Sequence, residues 1–421
     1  MNQSMESRRG TLRGAVFAVA AMCAASDAAR AQIGDFPDQE IGRKVHIRVR
    51  DLPAPYATPS VSNAPDYKQL ESDRPPIAPP GFSVALFRHA SHARWLAVAP
   101  NGDVFVTHLS SNKITVLRDA DGDGVAEQTS VFHEGLTRPH GMAFQPGYFY
   151  VADTRGLWRF VYEPGQLAAR GQPERVTPEG AFGDGAGHWT RNIAFSRDGK
   201  RVYVSIGSRG NLDEEPAPRA TIQEFHADGT GQRTFAAGLR NPVGIAFAPG
   251  TDELYAVVNE RDGMGDGLVP DYLTPVARDG FYGWSYAYLG SNPQPEYAAK
   301  RPDLVARTLV PDVLFKSHSA PLGLVFYDGA QFPAEYRGHA FVALHGSWNS
   351  AKPAGYTVVR VPFSEGKPQG HYEIFLGGFW VEGKDRAVVR GRPVGLAVAK
   401  DGGLLVADNF ASVIWRVSYK K

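Results

Sequence analysis

The hydrophobic and polar positions of the chain repeat one pattern six times. In each copy, a short apolar segment around a small residue is followed by a turn and a second apolar run, which predicts two antiparallel strands. The copies are centred at Ala97, Ala143, Ala194, Ala246, Val325 and Ala397. Their spacings of 46, 51, 52, 79 and 72 residues are typical of four-stranded blades of roughly 40 to 50 residues, two of them lengthened by insertions. The sequence therefore predicts an all-β fold, a six-bladed β-propeller.

Basic or polar side chains precede every one of these first strands. If each first strand lines a central channel and runs away from one face, the side chains before it open onto that face. They are Arg94, His140, His188, Arg191, Arg240, Asn241, His318 and Arg392. The second strands run back, so the residues around their ends return to the same face: His108, Asp153, Glu260, Asp262, His345 and Asp408. We therefore expect one axial opening, lined mainly by imidazole and guanidinium groups.

The charge of the whole chain is nearly balanced, with 45 basic and 44 acidic residues and a net charge of +1. Nucleic-acid binding normally requires a broad basic surface and a strongly positive domain. A basic ring in a nearly neutral chain instead favours a small anionic ligand, and no nucleic-acid partner is expected. With 421 residues, 43% of them hydrophobic, the chain is long enough to bury a large core.

The first 31 residues have the composition of a cleavable export signal. Arg8 and Arg9 precede an uncharged stretch over residues 15–25, which is too short to span a bilayer, and residues 29–31 resemble a cleavage site. Residues 7–13 also approximate a twin-arginine signal, so the export route stays open. We expect a periplasmic or secreted protein with no transmembrane span after signal removal.

Composition divides the remainder into two parts. Residues 32–80 contain eight prolines between positions 53 and 80, which predicts an extended arm laid over the propeller. The propeller itself, as the catalytic domain, is predicted over residues 81–421. The alternating segment at 82–87 is expected to pair beside the strand at 413–417, which would close the ring by joining both ends of the chain in one blade.

The chain has a single cysteine, Cys23, inside the predicted signal. A mature chain without cysteine has no disulfide, no iron–sulfur cluster and no covalently attached haem. If the protein handles electrons, they must leave to a separate acceptor, a cytochrome or a quinone.

Two residues before first strands have the clearest chemistry. A neutral imidazole at position 188 is able to take a proton from a hydroxyl near pH 7, although a histidine that only caps a loop gives the same pattern. Pro242 favours an extended backbone before it, which directs Arg240 and Asn241 away from the core. Arg240 is then placed to bind a carboxylate with its two parallel N–H groups, and pairing with an acidic neighbour is the alternative.

Two segments have the oxygen-rich composition that calcium prefers. Asp262, Gly263 and Asp266 lie in a short glycine-rich segment after a second strand, where a turn without metal is nearly as good an interpretation. The other segment alternates acids around a glycine, but Ser130 stands where a calcium loop has its bidentate glutamate. A structural calcium ion there and a polar hairpin turn remain open alternatives; its candidate ligands are Asp119, Asp121, Asp123 and Glu127.

Several of these motifs together resemble the glucose/sorbosone dehydrogenase family, whose members are six-bladed propellers that use pyrroloquinoline quinone (PQQ). The resemblance runs from about residue 51 to the C-terminus and preserves the order of the motifs. It rests on Gly187-His188-Trp189-Thr190-Arg191, Leu239-Arg240-Asn241-Pro242, Asn259-Glu260-Arg261-Asp262, Phe281-Tyr282-Gly283-Trp284, His318-Ser319-Ala320-Pro321-Leu322-Gly323 and His345-Gly346-Ser347-Trp348-Asn349.

The resemblance implies a calcium-assisted quinone that oxidises a sugar, of aldose or sorbosone type, to a lactone or acid. By motif, His188 would be the general base and Asp262 and Gly263 would offer oxygens to calcium. PQQ has three carboxylates, so it would be held by the basic and polar residues of the opening, namely Arg240, Asn241, His318, His345, Arg392 and Arg191. Ser350 and Ser285 depart from the family pattern, and the lysine that contacts the quinone in relatives has only Lys316 as a nearby candidate.

Two other functions remain as alternatives. A calcium-dependent propeller lactonase or esterase would have predominantly acidic ligands at its channel, whereas the predicted opening is basic. A non-enzymatic binding propeller would need none of the inward histidines, since fold does not fix function.

Overall fold

A computed structural model describes residues 36–69, 74–108 and 110–420. The predicted signal at residues 1–31 lies outside these residues. The all-β prediction is confirmed, because the regular structure of the described residues is mostly β-strand, with mainly antiparallel pairing and only short helical turns. Within the described ranges, no helix is long and apolar enough to cross a membrane.

The proline-rich segment runs along the strands that follow it. It contains β1 (Lys44–Val45) and β2 (Asp66–Tyr67), with 3-10 turns at Pro37–Gln39 and Val49–Asp51. Its backbone amides donate to loop carbonyls of the main body, from Tyr56 to Met264 at 2.8 Å and from Asn63 to Trp348 at 2.8 Å. These contacts place the segment across the loops that follow second strands.

Within the described residues, six sheets of four or five strands make up the body, and the four main strands of each of the first three are continuous in sequence. After β3 (Phe82–His89), sheet 1 contains β4 (Ala93–Val98), β5 (Val104–His108), β6 (Lys113–Arg118) and β7 (Gln128–Glu134). Sheet 2 contains β8 (Met142–Gln145), β9 (Tyr148–Ala152), β10 (Leu157–Val161) and β11 (Glu174–Arg175). Sheet 3 contains β12 (Ile193–Phe195), β13 (Arg201–Ile206), β14 (Thr221–His226) and β15 (Arg233–Ala237).

Sheet 4 carries the first long insertion, between its third and fourth strands. It consists of β16 (Asn241–Phe247), β17 (Leu254–Asn259), β18 (Pro270–Pro275) and, after the insertion, β22 (Val313–Ser317). The insertion holds β19 (Gly280–Phe281), which pairs in parallel with β15, the hairpin β20 (Ala287–Tyr288) and β21 (Asn292–Pro293), a 3-10 turn at Ala298–Lys300 and the short helix α1 (Pro302–Ala306).

Sheets 5 and 6 take strands from the N-terminal part of the chain at their edges. Sheet 5 is β23 (Pro321–Phe326), β24 (Ala340–Leu344), β25 (Thr357–Val361) and β28 (Tyr372–Leu376), with β1 beside β28; it also carries a 3-10 turn at Ala334–Tyr336 and the hairpin β26 (Phe363–Ser364) and β27 (Lys367–Pro368). β29 (Trp380–Glu382) and β30 (Val388–Val389) form a small sheet with β2. Sheet 6 is β31 (Pro393–Val398), β32 (Leu404–Asp408), β33 (Val413–Tyr419) and β3.

The two ends of the described chain are joined in sheet 6, as predicted. β3 pairs antiparallel with β33, with Val84 opposite Val417 and Leu86 opposite Trp415. The pairing supplies the fourth strand of the sheet from the start of the chain and so covers an edge that would otherwise be open.

The first strands of the six sheets contact each other in sequence order, and β31 of sheet 6 contacts β4 of sheet 1. Glycine makes part of this close contact possible. A Cβ atom on Gly244 would lie 2.6 Å from the Leu322 carbonyl oxygen, and one on Gly395 would lie 2.7 Å from that of Arg94. Glycine at these positions therefore lets neighbouring first strands pack closely, and polar residues that precede the first strands of sheets 3, 4 and 5 lie at one opening.

Candidate active site

A cavity of about 240 Å³ lies at this opening, among sheets 3, 4 and 5. Most of its lining comes from residues at the starts of first strands and at the ends of second strands, as the repeat predicts. Its lining consists of His188, Arg240, Asn241, Asn259, Glu260, Asp262, Asp271, His318, Ala320, Trp348 and Asn349. The prediction that His188, Arg240 and His318 meet is therefore confirmed, although they are far apart in sequence.

His188 is held in one orientation by the loop after β13. Its Nδ1 lies 2.8 Å from the Ser208 carbonyl oxygen and 3.0 Å from the Ser208 Oγ. Because a carbonyl oxygen only accepts, Nδ1 carries the proton and Nε2 keeps its lone pair. Burial, and secondarily the charge of Arg240, lowers the pKa of His188 to about 4. The imidazole is therefore neutral at pH 7 and able to accept a proton at Nε2.

Arg240 is buried beside His188, and Asn211 fixes its guanidinium group. Its Nε donates to the Asn211 carbonyl oxygen at 3.1 Å, and its Nη2 donates to the Asn211 Oδ1 at 2.9 Å. Asn211 also bonds the backbone of Asp262, by accepting from its amide at 2.9 Å and donating to its carbonyl at 2.8 Å. A single side chain thus sets the positions of both Arg240 and Asp262.

The carboxylate of Asp262 is the acceptor at the centre of the cavity. Its Oδ1 accepts from the His318 Nδ1 at 3.2 Å and from the Asn349 Nδ2 at 2.7 Å, and its Oδ2 lies 3.9 Å from the Arg240 Nη2. Burial raises the pKa of Asp262, but the hydrogen bond from His318 and the charge of Arg240 outweigh burial and leave it below its usual value. Burial likewise lowers the pKa of His318, and its bond to Asp262 reverses the shift. Each shift favours the charged form of its group, so the two side chains form an ion pair when His318 is protonated.

Two further acids in the cavity correct the prediction of a predominantly basic lining. Glu260 is buried and accepts from the Arg261 Nε at 3.0 Å. Asp271 is buried in β18, where its two oxygens each accept a backbone amide at 2.8 Å, from Glu260 and Ala320. Burial raises the pKa of Asp271 to about 7. The sequence analysis considered only residues near the first and second strands, so it missed Asp271, which lies in the third strand. The one sequence signal for Asp271 is that it is a charged residue within a buried strand.

Three buried polar atoms of the cavity lining have no partner in the described residues: Asn241 Oδ1, Glu260 Oε1 and His318 Nε2. Buried polar groups are normally hydrogen-bonded, and leaving one unsatisfied costs free energy. Three unpaired side-chain atoms in one cavity are therefore consistent with a polar ligand that forms hydrogen bonds with them. Donors from Arg240 and His318, next to acceptors from Asn241 and Glu260, suit a ligand with both carboxylate and hydroxyl or carbonyl groups.

The other predicted cofactor-binding residues do not line this cavity. Arg191 is fully buried, and its Nη1 donates to the carbonyl oxygens of His188 at 2.8 Å and Thr190 at 2.9 Å, so it supports the His188 loop from behind. Arg392 donates to the carbonyl oxygens of His345 at 3.0 Å and Gly346 at 2.6 Å. His345, through Nδ1, lies 3.3 Å from the Pro393 carbonyl oxygen. Lys316 binds Asp38 in the N-terminal segment.

The two candidate calcium segments differ in how closely their oxygens converge. Asp262 lines the cavity, but its side chain and its carbonyl both have hydrogen-bond partners, and Asp266 accepts from the Ala351 amide outside the lining. Among the described residues, the only group of three or more acids and histidines with ligand atoms within 4.8 Å of one another is Asp119, Asp121, Asp123 and Glu127. There, backbone amides already bond several carboxylates, such as that of Gly122 to Asp119 at 2.7 Å.

Comparison with other proteins assigns this chain to a family. The TrAA12-like family model matches residues 76–269 and 300–420, most of the chain. A PQQ-dependent pyranose dehydrogenase of Coprinopsis cinerea is 27% identical over 290 residues, which are 58% of this chain and 39% of that protein. An uncharacterized protein of Borreliella burgdorferi is 33% identical over 237 residues, 56% of this chain and 61% of that one. The chain thus spans less than two thirds of the length of either curated relative.

Solved structures share the fold. The holo form of the PQQ domain of Coprinopsis cinerea pyranose dehydrogenase matches with a TM-score of 0.68 and 20% identity, over 84% of this chain and 99% of that one. A calcium structure of a Trichoderma reesei enzyme of carbohydrate-active family AA12 matches with a TM-score of 0.69 and 18% identity over the same shares. The resemblance to PQQ-dependent sugar dehydrogenases seen in the sequence motifs is confirmed. The chain belongs to the TrAA12-like family.

Proposed function

We propose that this protein is a PQQ-dependent oxidoreductase that oxidises a sugar hydroxyl, with His188 as the general base. The observation that carries the proposal is the His188 imidazole, held neutral with its Nε2 lone pair available, in one cavity with Arg240 and His318. The family and its pyranose dehydrogenase relative supply the reaction class. The finer assignment, an aldose or sorbosone-type substrate, rests on the sequence motifs.

The residues present fit the cofactor. Bound PQQ would supply an electron-poor carbonyl that accepts hydride, with Ca²⁺ as Lewis acid. Its carboxylates and carbonyls would be held by Arg240, Asn241 and His318. His345 and Arg392 lie outside the cavity lining, and Arg191 supports the His188 loop from behind. The sequence motifs offer Asp262, Gly263 and Asp266 as oxygen donors to Ca²⁺, but the side chain and the carbonyl of Asp262 already have hydrogen-bond partners and Asp266 lies outside the lining. The unpartnered His318 Nε2 gives the carboxylate contact a physical basis in the cavity, whereas the unpartnered Asn241 Oδ1 is an acceptor and would take an N–H or O–H of the ligand.

The chain's own part in the reaction is to move a proton and to hold the groups that assist it. His188 Nε2 takes the hydroxyl proton of the sugar, while its Nδ1–H stays bonded to the Ser208 carbonyl oxygen. The carbon that bears this hydroxyl loses its C–H hydrogen as hydride, which the bound quinone would accept, and the C–O bond becomes a carbonyl. The Asn211 side chain keeps Arg240 in place, and the ion pair of Asp262 with His318 prevents Asp262 from competing with His188 for the proton. Electrons then pass to a separate acceptor.

The same proposal extends to architecture and location. The six sheets are interpreted as the blades of a six-bladed propeller over residues 81–421, with residues 32–80 as an arm on its surface. Export to the periplasm or the medium, through a signal over residues 1–31, suits an enzyme that meets free sugars.

A calcium-dependent lactonase remains the second candidate, because Glu260, Asp262 and Asp271 bring three carboxylates into the cavity. Two observations weigh against it. The Asp262 carboxylate is engaged by His318 and Asn349. Moreover, within the described residues, no three acids or histidines of the cavity have ligand atoms within 4.8 Å of one another. A metal held mainly by protein side chains is therefore poorly supported here.

Reconstitution tests both candidates. The purified protein is incubated with PQQ and Ca²⁺, and reduction of a dye acceptor is followed with aldoses, pyranoses and sorbosone; hydrolysis of a lactone and of an aryl ester is measured in parallel. We expect quinone-dependent dye reduction with at least one sugar. Hydrolysis with Ca²⁺ alone and no quinone binding would replace the proposal with the lactonase. If the protein neither binds quinone nor hydrolyses either substrate, the non-enzymatic propeller would be favoured.

We also propose a structural Ca²⁺ at Asp119, Asp121, Asp123 and Glu127. The convergence of these side chains supports it, and the hydrogen bonds that they accept from backbone amides equally suit a polar turn. Ca²⁺ should then raise the melting temperature of the apoprotein, and Asp121→Asn should remove this rise without changing quinone affinity. Equal melting temperatures with Ca²⁺ and with chelator would contradict the ion.

A further inference from the structure

The proline-rich segment brings exposed aromatic side chains to the face on which the cavity opens. Three aromatic side chains of the described residues are more than half exposed: Tyr56 at 51%, Tyr67 at 52% and Trp348 at 52%. Two of them belong to this segment, and the carbonyl oxygen of the third accepts the Asn63 amide of the same segment at 2.8 Å. We call Tyr56, Tyr67 and Trp348 the aromatic rim.

The aromatic rim follows the loops after the second strands of sheets 4, 5 and 6. The Tyr56 amide donates to the Met264 carbonyl oxygen at 2.8 Å, in the loop after β17. Trp348 lies in the loop after β24 and lines the cavity. The Tyr67 ring stacks on that of Phe410, after β32, with ring centroids 4.0 Å apart. Tyr56 and Tyr67 are not part of the cavity lining. The rim therefore begins at the cavity and continues beyond it.

The two tyrosine rings are exposed but held in place. The Tyr56 hydroxyl donates to Glu296, and this bond, more than burial, raises the pKa of Tyr56 to about 12, so the phenol stays protonated. The Tyr56 backbone has a φ of 63°, which is unusual for a bulky residue and is found mostly at functional sites. Tyr67 has one face covered by Phe410. A ring that is fixed in advance loses little freedom when a ligand packs against it.

A chain of hydrogen bonds joins Tyr56 to the cavity. Glu296, which accepts the Tyr56 hydroxyl, also accepts from the Gln294 Nε2 at 2.8 Å. The Gln294 Oε1 accepts from the Arg261 Nη1 at 3.1 Å, and the Arg261 Nε donates to Glu260 at 3.0 Å. Glu260 lines the cavity. The outer part of the rim and the cavity are therefore parts of one hydrogen-bonded structure.

The outer part of the rim lies outside the residues that the family model matches. Tyr56 and Tyr67 come before residue 76, where the match begins, and Glu296 lies between its two parts, residues 76–269 and 300–420. Binding residues are often carried by loops on a common scaffold. A role of Tyr56 and Tyr67 in ligand choice would thus belong to this chain's own segments.

We propose that the aromatic rim binds further sugar units of a saccharide whose terminal unit occupies the cavity, so that the substrate is an oligosaccharide. Sugar rings have C–H faces that pack on aromatic rings, and hydroxyl groups that donate to carboxylates such as that of Glu296. A single sugar in the cavity reaches Trp348, and only a longer ligand also reaches Tyr56 or Tyr67. That the terminal unit is oxidised rests on the proposed function; binding of the longer saccharide rests on the rim itself.

A protein partner such as an electron carrier is the competing occupant. Stable protein interfaces bury a contiguous patch of about 800 Å² on each partner. The rim rings instead stand among polar groups, such as the ion pair of Asp66 with Arg386 at 2.7 Å. The other exposed large apolar side chains of the described residues are aliphatic and lie outside the proline-rich segment and the loops that it crosses: Val125, Val131, Val161, Leu309 and Val310. Separate rings with polar neighbours favour a saccharide.

Calorimetric titration tests the rim without requiring turnover. Cellotetraose, maltotetraose and xylotetraose are titrated into the purified protein, with and without PQQ and Ca²⁺, and glucose and xylose are titrated in parallel. We expect at least one tetrasaccharide to bind more tightly than its own monosaccharide, roughly tenfold for stacking on fixed rings. If no tetrasaccharide binds more tightly than its monosaccharide, the proposal is overturned.

Substitutions assign this difference to the rings. Tyr56→Ala and Tyr67→Ala each remove one ring, so the ratio of tetrasaccharide to monosaccharide affinity should fall roughly three- to tenfold. Tyr56→Phe keeps the ring and loses only the bond to Glu296, so its loss should be smaller. The matched control is Tyr148→Ala, at a half-buried tyrosine where β9 begins, at the opposite end of sheet 2; its ratio should equal that of the wild type. An unchanged ratio in both Tyr56→Ala and Tyr67→Ala would contradict the rim.

Kinetics on the reconstituted protein separate the possible occupants. Tyr56→Ala should raise KM for the tetrasaccharide with little change in kcat, because a remote sugar unit is held equally in the ground state and the transition state. Slower reduction of cytochrome c but not of a small dye, with unchanged saccharide affinity, would assign the rim to a protein partner and overturn the proposal. If the protein oxidises no saccharide, the proposed function fails, whereas the calorimetric ratios still decide whether the rim binds oligosaccharides.

Discussion

Two groups of basic side chains balance their charges differently: those that line the cavity, and a cluster of Arg94, His140, His345 and Arg392 outside its lining. In the cavity, Arg240 has Asn211 and Asp262 as partners, and His318 has Asp262, so its cations are neutralised within the protein. In the cluster, Arg94 is as buried as Arg240 but faces another arginine and an aromatic ring. The comparison teaches that burial alone does not decide whether an arginine has a counter-charge, since Arg240 faces the Asp262 carboxylate and Arg94 faces an aromatic ring.

The largest expected effect tests whether chemistry belongs to the cavity. His188→Gln should lower the rate of sugar oxidation by roughly a hundredfold to ten-thousandfold, since a general base usually contributes that much. Quinone affinity should change little, because the base acts on the sugar. Rates and affinity are measured on the reconstituted protein, with His133→Gln, in an outer strand of sheet 1, as control. Normal turnover by His188→Gln would remove the base from position 188.

The second prediction contrasts the two arginines in the apoprotein. Arg240→Met should lower the free energy of unfolding by about 2 to 3 kcal/mol, because it removes two hydrogen bonds to Asn211 and the positive charge that faces the Asp262 carboxylate. Arg94→Met should change it in the opposite direction. Urea denaturation of the two variants and the wild type measures both values. If both variants changed the free energy of unfolding in the same direction, Arg94 and Arg240 would not differ in whether their charges are paired.

The third prediction concerns how the cavity is organised. Asn211→Ala should cost about 1 to 2 kcal/mol of stability, because the side chain links Arg240 with the backbone of Asp262 through three hydrogen bonds. The double variant Asn211→Ala/Arg240→Met should lose about 1 kcal/mol less stability than the sum of the losses of the two single variants, since both changes remove the same hydrogen bond between Arg240 and Asn211. Additive losses would show that Asn211 and Arg240 act separately.

The smallest expected effect is the pH dependence that His188 contributes. Its pKa in the folded protein is about 4, below its ordinary value, so between these values the unfolded chain binds more protons. The contribution of His188 to the free energy of unfolding is therefore complete when the pH is above its ordinary pKa of 6.5, and it is lost as the pH falls toward 4. Relative to His188→Gln, the wild type should lose about 1 kcal/mol between roughly pH 7.5 and 5.5. A His188 imidazole signal that titrates near pH 6.5 by NMR would contradict this.

Much of the strand framework was predictable because it depends on local patterning. The apolar repeat around Ala97 and its counterparts corresponds to the first strands, and alternation at 82–87 correctly predicted the pairing of β3 with β33. The meeting of His188, Arg240 and His318 followed from strand direction alone, since each precedes a first strand. The acids Glu260 and Asp271 show where this reasoning stops: it placed Glu260 at the opening, but it gave no reason for Asp271 to join it.

The sequence by itself determined the strands and the set of polar residues at one end of the first strands, because strand periodicity and chain direction are local properties. Only the tertiary structure decided which of these cations have partners. Asn211 reaches both Arg240 and Asp262 through the packing of a separate loop, and Asp271 enters the cavity from a third strand. Whether a buried charge meets a carboxylate or a carbonyl depends on side-chain directions across neighbouring sheets, and a one-dimensional pattern does not contain them.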